Sequence, residues 1–475
     1  MKLRKYSTLF LLIPFVFTSA QINEKNLMKT INYLSGKKLA GRLPGHSGYA
    51  KAAQFMAENF KQLKLKPIGK DYFQKLKVEY NEILAPEHFA IIKNGRKKEY
   101  KLGPDYAYRG FTGAGKLNAD VVFCGYGLSQ PELGYDDYAG IDVKNKVALV
   151  FKYNPKWNIN GKGFSNGNPR EKAIVAAKHG AVGILFVSLP NDKEPQKPIG
   201  SVIAGAGEQM LNFPEAHIEL YMADELFEGS GHTLKEIQTK IDAAKKPSSV
   251  SLVNKIDMEV HTKYEKEKEV VNIAGIIEGS DPALKDEYII LGAHLDHVGA
   301  QAGKIYFPGA NDNASGSAAV LQIAREFVAQ KIKPKRSVMF VLFASEEQGL
   351  NGAAFMANNL PFPKEKLKAM INMDCVACGD SISVNGGKAL PGLWKCAKEY
   401  DAKNGRLMVS STGNGGGADA EPFAKLGIPT MYFVTTNSYK YLHMITDTPE
   451  TLNKPLYTAL VKTAFEVVKE AAEKL

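Results

Sequence analysis

Ser337-Val338-Met339-Phe340-Val341-Leu342-Phe343-Ala344 is a continuous apolar run. Its length suits one buried strand. Tyr288–Ala293 is a second such run, and Val270–Ile277, Leu367–Met373 and Thr430–Val434 read as further strands. Helical stretches fall between them, at Ala318–Ala329 and Ala420–Leu426, and Lys454–Leu475 closes the chain as a helix. Buried strands alternating with helices argue for a doubly wound α/β sheet. In such a sheet the chemistry collects at the carboxyl ends of the strands.

The polar clusters occur at those ends. His294 and Asp296 follow Tyr288–Ala293. Strand side chains alternate faces, so these two point the same way, as a metal ligand and its orienting partner. By the same alternation His297 points to the other face and reads as a structural or rim histidine. Asp312 lies in Gly309–Gly316, a polar turn that opens a helix. Ser345-Glu346-Glu347-Gln348-Gly349 follows the Ser337–Ala344 run, Asn372-Met373-Asp374 ends another strand, and His443 sits in the loop after Thr430–Val434. Oxygen and nitrogen donors without thiolate suit a catalytic zinc pair. Two adjacent carboxylates are usually a solvated pair on a helix, but not directly after a long apolar strand. There one can hold metal while the other takes a proton from water.

With 475 residues the chain exceeds one ordinary core, and two domains are expected after processing. Residues 1–20 carry Lys2, Arg4 and Lys5, an apolar run from Leu9 to Phe17, and small residues at Thr18-Ser19-Ala20. This is the pattern of a cleaved export signal, and the run is too short to span a bilayer. The protein is therefore expected in the periplasm or the medium, without stable membrane insertion. Of the net charge of +11, that leader holds three. The remaining lysines are dispersed without interleaved aromatics, which argues against nucleic acid as a partner. Four cysteines are too few for a disulfide framework. Cys375 and Cys378 are spaced as a redox pair, half a zinc site or a disulfide, or they stay free thiols.

A different texture begins near Leu117. Ala119–Gly127 reads as strand and turn, Lys146–Phe151 as a strand, and Glu171–His179 as a helix running into Gly180–Val187. This stretch resembles the protease-associated domain in Gly125-Tyr126-Gly127, Tyr135–Gly140, Asn145-Lys146-Val147 and the helix leading into Gly180-Ala181. The resemblance implies an insert within a peptidase. The expected division is a signal at 1–20, the first part of a peptidase domain at 21–116, the insert at 117–254 and the zinc peptidase domain at 255–475.

The whole mature chain resembles family twenty-eight of the metallopeptidases, the co-catalytic zinc exopeptidases. The matching motifs are Gly292–Asp296, Gly309–Gly316, Ser345-Glu346-Glu347, Asn372-Met373-Asp374 and Tyr441–Thr448, with Leu39–Arg42 and Gly45 nearer the start. The resemblance implies a doubly wound mixed sheet and two Zn²⁺. It implies that His294 and Asp374 hold one ion, that Glu347 and His443 hold the other, and that Asp312 bridges them. Glu346 would be the general base and Asp296 would orient His294. A cis bond after Asp312 is also implied. Cys375 departs from the family, which usually has an apolar residue there.

Peptides are the expected substrates. A carboxypeptidase or dipeptidase, a cyclase of N-terminal glutamine and a non-catalytic binding protein remain alternatives on this fold. The motif-bearing loops are poor in arginine, the best clamp for a terminal carboxylate, which favours an aminopeptidase. Arg42, Arg109 and Arg406 are left to reach the cleft, with Lys440 near His443.

Overall fold

The structure, a computed structural model, describes residues 22–475 apart from 165 and 166. The expected export signal lies outside the described residues. The apolar runs form strands of one sheet, in the order Ile382–Asn385, Thr430–Thr435, Leu367–Met373, Tyr288–His294, Ser337–Phe343 and Val250–Ile277. The four from Thr430–Thr435 to Ser337–Phe343 are parallel. Each flanking strand is antiparallel to its neighbour. The sheet is thus mixed.

Both faces of this sheet are covered, which is why its strands are apolar throughout. Leu291, Phe340, Leu342 and Ile371 share a core with the helices Glu24–Leu34, Ser47–Gln62, Gly316–Ala329 and Lys454–Lys474. Ile290, Met339, Val341 and Met370 face the other way, onto Ala353 and Met356 of helix Asn351–Asn358 and Phe423 of helix Glu421–Lys425. The period-two alternation along each strand sorts its side chains between the two cores.

Val250–Ile277 is far longer than the strand expected at Val270–Ile277. From Lys255 to Ile273 it pairs antiparallel with Phe73–Lys93. That ribbon carries exposed cross-strand ion pairs, Lys75–Glu269 at 3.0 Å and Lys77–Glu267 at 2.8 Å. Such charges erase the apolar alternation on the solvent side, so a hydrophobic pattern finds only the buried end of the strand.

The same two strands continue into a second core. Ile83, Phe89 and Ile91 from one, and Ile256, Met258 and Val260 from the other, pack with Val121, Leu149, Leu185 and Ala216. There Gly115–Phe123, Val147–Phe151, Gly183–Val187 and Glu215–Ile218 lie side by side in parallel. Helix Pro169–Lys178 covers one face through Ala173 and Ala176, and Leu220–Phe227 and Leu234–Ala244 cover the other. All four cysteines are free thiols, so Cys375 and Cys378 form no disulfide. Among the described residues no helix is long and apolar enough to cross a membrane.

One side chain fixes the turn that matters most for the site. Asn272 accepts from Ala344 N–H at 2.9 Å and donates to Gly352 C=O at 2.9 Å. It ties the end of Ser337–Phe343 to the following helix, and the Ser345–Gly349 turn is held between them. A Cβ on Gly352 would lie 2.2 Å from Ala344 O and 2.4 Å from Asn272 Oδ1. Gly352→Ala is therefore expected to destabilise the fold by about 1–3 kcal/mol, as overpacking does. Urea unfolding checks this; an unchanged midpoint would show that the turn does not depend on this approach.

Candidate metal centre

Strand register brings the polar clusters to one level. His294 lies opposite Phe343, Gly292 opposite Asn372, and Met373 opposite Phe433. The residues that follow therefore emerge side by side. Ser345, Cys375 and His443 adopt positive φ, at 57°, 51° and 56°. For non-glycine residues this costs roughly 1–2 kcal/mol each, and such strain concentrates at functional sites. It turns the chain sharply just after two strand ends and in the loop beyond Ser438–Tyr441, where Glu346, Asp374 and His443 face one another.

The five expected ligands converge. His294 Nε2 is 3.2 Å from Asp312 Oδ1 and 3.4 Å from Asp374 Oδ1. His443 Nε2 is 3.1 Å from Asp312 Oδ2 and 2.8 Å from Glu347 Oε2. Asp312 thus gives one oxygen to each group, as a bridge requires. Glu346 Oε2 stands 4.0 Å from His294 Nε2 and belongs to neither group. The Asp312–Asn313 bond is cis.

His297 is the principal correction. It is fully buried, not at the rim, and its Nδ1 lies 2.8 Å from Glu347 Oε1 and 3.8 Å from Asp312 Oδ2. The alternation rule misled because the strand ends at His294. Beyond that point the backbone is irregular and side chains no longer alternate. The donor atoms of His297, Asp312, Glu347 and His443 all lie within 4.8 Å of one another, as do those of His294, Asp312 and Asp374.

A second layer orients the first. Asp296 Oδ1 lies 3.7 Å from His294 Nδ1, and the hydrogen bonds of this side chain are to the backbone of the glutamate pair. Its Oδ1 accepts from Glu346 N–H at 3.1 Å, and its Oδ2 from Glu347 N–H at 3.3 Å. It positions the Glu346-Glu347 turn as much as the histidine. Asp447 accepts from the N–H groups of Asn311 at 2.9 Å and Asp312 at 3.1 Å. The Asn311 amide oxygen accepts from Ala377 and Cys378 N–H, each at 2.9 Å. Asp419 is fully buried behind the site and, among the described residues, has no hydrogen-bond donor to either oxygen. Sequence reasoning gave no role to Asp447 or Asp419. Asp447 lay within a quoted motif, while Asp419 follows a glycine run with no spaced partner.

Arg42 is committed elsewhere than the cleft. It donates to the carbonyls of Leu295 at 2.8 Å, Leu34 at 2.7 Å, Pro308 at 2.8 Å and Gly309 at 2.9 Å. The adjoining backbone pairs with the same loop, through Gly299 N–H to Gly41 C=O at 2.9 Å and His297 N–H to Arg42 C=O at 3.2 Å. Gly41 needs its lack of a side chain, since a Cβ would meet Gly299 O at 2.0 Å. Arg109 is buried against Phe111, which packs with Ala173 and Ala176 of helix Pro169–Lys178, and Arg406 and Lys440 are exposed.

Electrostatics follow from this crowding. Burial pushes the Glu346 carboxyl well above its usual range, with Glu347, Asp419 and Asp374 adding repulsion against the attraction of His294. Burial acts the same way on Asp312, but contact with His294 and His443 outweighs it and holds that carboxyl well below its usual range. His443 is pushed up to about 10, because Glu347 and Asp312 override its burial. The cluster is an excess of negative charge seeking cations. Asp374 Oδ1 is buried and, among the described residues, has no hydrogen-bond donor. That orphaned oxygen, with imidazoles and carboxylates and no thiolate, fits a pair of zinc ions.

Residues 272–468 match peptidase family M28. This part of the chain is an M28 peptidase domain. His294, Asp296, His297, Asp312, Glu346, Glu347, Asp374 and His443 all fall within it. Leupeptin-inactivating enzyme 1 of Streptomyces exfoliatus is 33% identical over 156 residues, 32% of this chain and 32% of that enzyme. The first of the curated relatives are matched over only about a third of their own length or less. Aminopeptidase YwaD of Bacillus subtilis is 23% identical over 430 residues, 86% of this chain and 75% of that protein. Among solved structures, an aminopeptidase from Aneurinibacillus sp. strain AM-1 superposes with a TM-score of 0.64, covering 96% of this chain and 95% of that one at 20% identity. That likeness shows that the fold extends beyond the M28 domain to nearly the whole chain.

Arg42 tests how the N-terminal segment serves the M28 domain. Arg42→Leu leaves four buried carbonyls without their donor, and each unsatisfied group costs about 1–3 kcal/mol. The variant should lose about 3 kcal/mol or more in urea unfolding, and Arg42→Lys should restore little, because one ammonium cannot span four separated oxygens. A loss below about 1 kcal/mol would show that the guanidinium is not the clamp described.

Proposed function

We propose that the protein is an exported zinc exopeptidase that hydrolyses the N-terminal peptide bond of peptides. The observation that carries the reading is the placement of Glu346 beside two donor groups that share Asp312, while itself belonging to neither. His294 and Asp374 would hold one zinc, Glu347 and His443 the other, with Asp312 between. When bound, the pair supplies positive charge to polarise the scissile carbonyl and to acidify an attacking water.

The chain's own groups do the rest. Glu346 takes the proton of the attacking water on its carboxylate and returns it to the leaving amine. Asp296 holds the Glu346 and Glu347 backbone amides, so the base cannot drift from the donor groups. A free substrate amine is attracted by the carboxylates of the cluster. No arginine serves as a carboxylate clamp in the motif-bearing loops, and Arg42 is bound to four carbonyls. The aminopeptidase names of the relatives in Bacillus subtilis and Pseudomonas aeruginosa support the same polarity.

Export rests on the basic, apolar and small-residue sequence of residues 1–20. The strand-helix-strand order of 117–254 supports a protease-associated insert, and its contact with the catalytic loop supports a part in admitting substrate. Gly200 N–H donates to His443 C=O at 2.8 Å, and Val202 packs with Val298 and Phe307.

A peptide with a free N-terminus, its N-acetylated form and its C-terminal amide separate the alternatives. The free peptide and the amide should be cleaved and the acetylated peptide spared. Cleavage of the acetylated peptide with failure on the amide would reverse the polarity. Glu346→Gln should keep both zincs and lose about 10²–10⁴-fold in kcat, since the amide cannot accept the proton. Undiminished turnover with two zincs bound would remove Glu346 from the base role.

A further inference from the structure

His297 is buried beside Glu347, yet it is not needed to complete either group of ligands. Its two ring nitrogens behave differently from those of His294. His294 presents Nε2 to Asp312 and Asp374, and its Nδ1 has the Asp296 carbonyl oxygen at 3.3 Å. A metal-binding histidine almost always gives its second nitrogen such an acceptor. His297 Nε2 is buried and, among the described residues, has no hydrogen-bond partner. Its Nδ1, in contrast, makes a 2.8 Å contact with Glu347 Oε1. A carboxylate oxygen accepts, so Nδ1 carries the hydrogen and Nε2 is left as the bare nitrogen, which needs no acceptor.

The consequence falls on Glu347. Its two oxygens go to different histidines, Oε1 to His297 Nδ1 at 2.8 Å and Oε2 to His443 Nε2 at 2.8 Å. Asp374 is arranged similarly in the other group. Its Oδ1 faces His294 at 3.4 Å, while Tyr432 Oη lies 3.5 Å from its Oδ2. A carboxylate with one oxygen engaged by a neighbouring donor has only the other to offer a metal.

We propose that His297 is a positioning residue that donates Nδ1–H to Glu347 Oε1 and so holds Glu347 as a one-oxygen ligand. This rests on the zinc-centre reading above. Catalytic zinc sites keep a coordination position open for water or substrate. A glutamate that turned to bind through both oxygens would fill it. His297 keeps that position free without itself touching metal or substrate.

The test uses the whole zinc-loaded protein and two variants. His297→Asn retains a donor near the place of Nδ1; His297→Phe has similar bulk and no donor. Metal content is measured by elemental analysis, and coordination number by X-ray absorption at the zinc edge and by the visible spectrum after cobalt substitution. His297→Phe should keep two metals, show a higher mean coordination number and lose roughly 10–100-fold in kcat, the usual scale for such partners. His297→Asn should keep the wild-type spectrum and coordination number. Loss of one metal from both variants would make His297 a ligand and overturn the proposal. Spectra unchanged in both variants would overturn it too, leaving His297 as packing. A folded His297→Asn that matches the altered His297→Phe spectrum would also overturn it. Wild-type protein that binds no metal would sink the zinc-centre reading itself, a result distinct from all of these.

Discussion

Four carboxylates gather largely withdrawn from water: Glu346, Glu347 and Asp374 just after the ends of parallel strands, and Asp312 from the turn that opens helix Gly316–Ala329. Like charges packed this way repel strongly, because little solvent screens them. The surrounding structure is a set of answers to that repulsion. Imidazoles from His294, His297 and His443 stand between the carboxylates. Asp296, Asp447, Asn311 and Arg42 fix the backbone that carries them, through hydrogen bonds across long stretches of sequence. What remains uncompensated is negative charge around shared oxygens, and that is the affinity for a pair of divalent cations.

The parallel sheet makes such a gathering possible. Each strand is buried on both faces, so it is rigid and its end is well located. The register then sets neighbouring ends beside one another. This is why the strands and most of the centre were legible from the amino-acid sequence: apolar runs announce buried strands, and polar residues placed just after them announce chemistry. His294, Asp312, Glu347, Asp374 and His443 were all found by position alone and then given roles by resemblance.

What was not legible has particular causes. His297 was assigned to the wrong face because a rule for strands was carried past the end of a strand. Asp296 was read as the partner of His294 alone, and its side chain also holds the backbone amides of Glu346 and Glu347, contacts that no spacing reveals. Arg42 appeared free to meet substrate, because nothing in its neighbourhood announces four carbonyls drawn from residues 34 to 309. The ribbon of Phe73–Lys93 with Val250–Ile277 was half hidden because its outer face is charged. For Asp296 and Arg42 the missing information was a contact between segments distant in sequence. The same holds for the Gly200–His443 hydrogen bond, through which the middle of the chain reaches the loop that carries His443.

The central claim is that these carboxylates and histidines are arranged around two cations that share Asp312. Anomalous diffraction at the zinc edge, from crystals of zinc-supplemented protein, tests it most directly. The account predicts two peaks about 3.5–4 Å apart, one beside His294 and Asp374 and the other beside Glu347 and His443, with Asp312 between them. A single peak, or peaks away from Asp312, would contradict it.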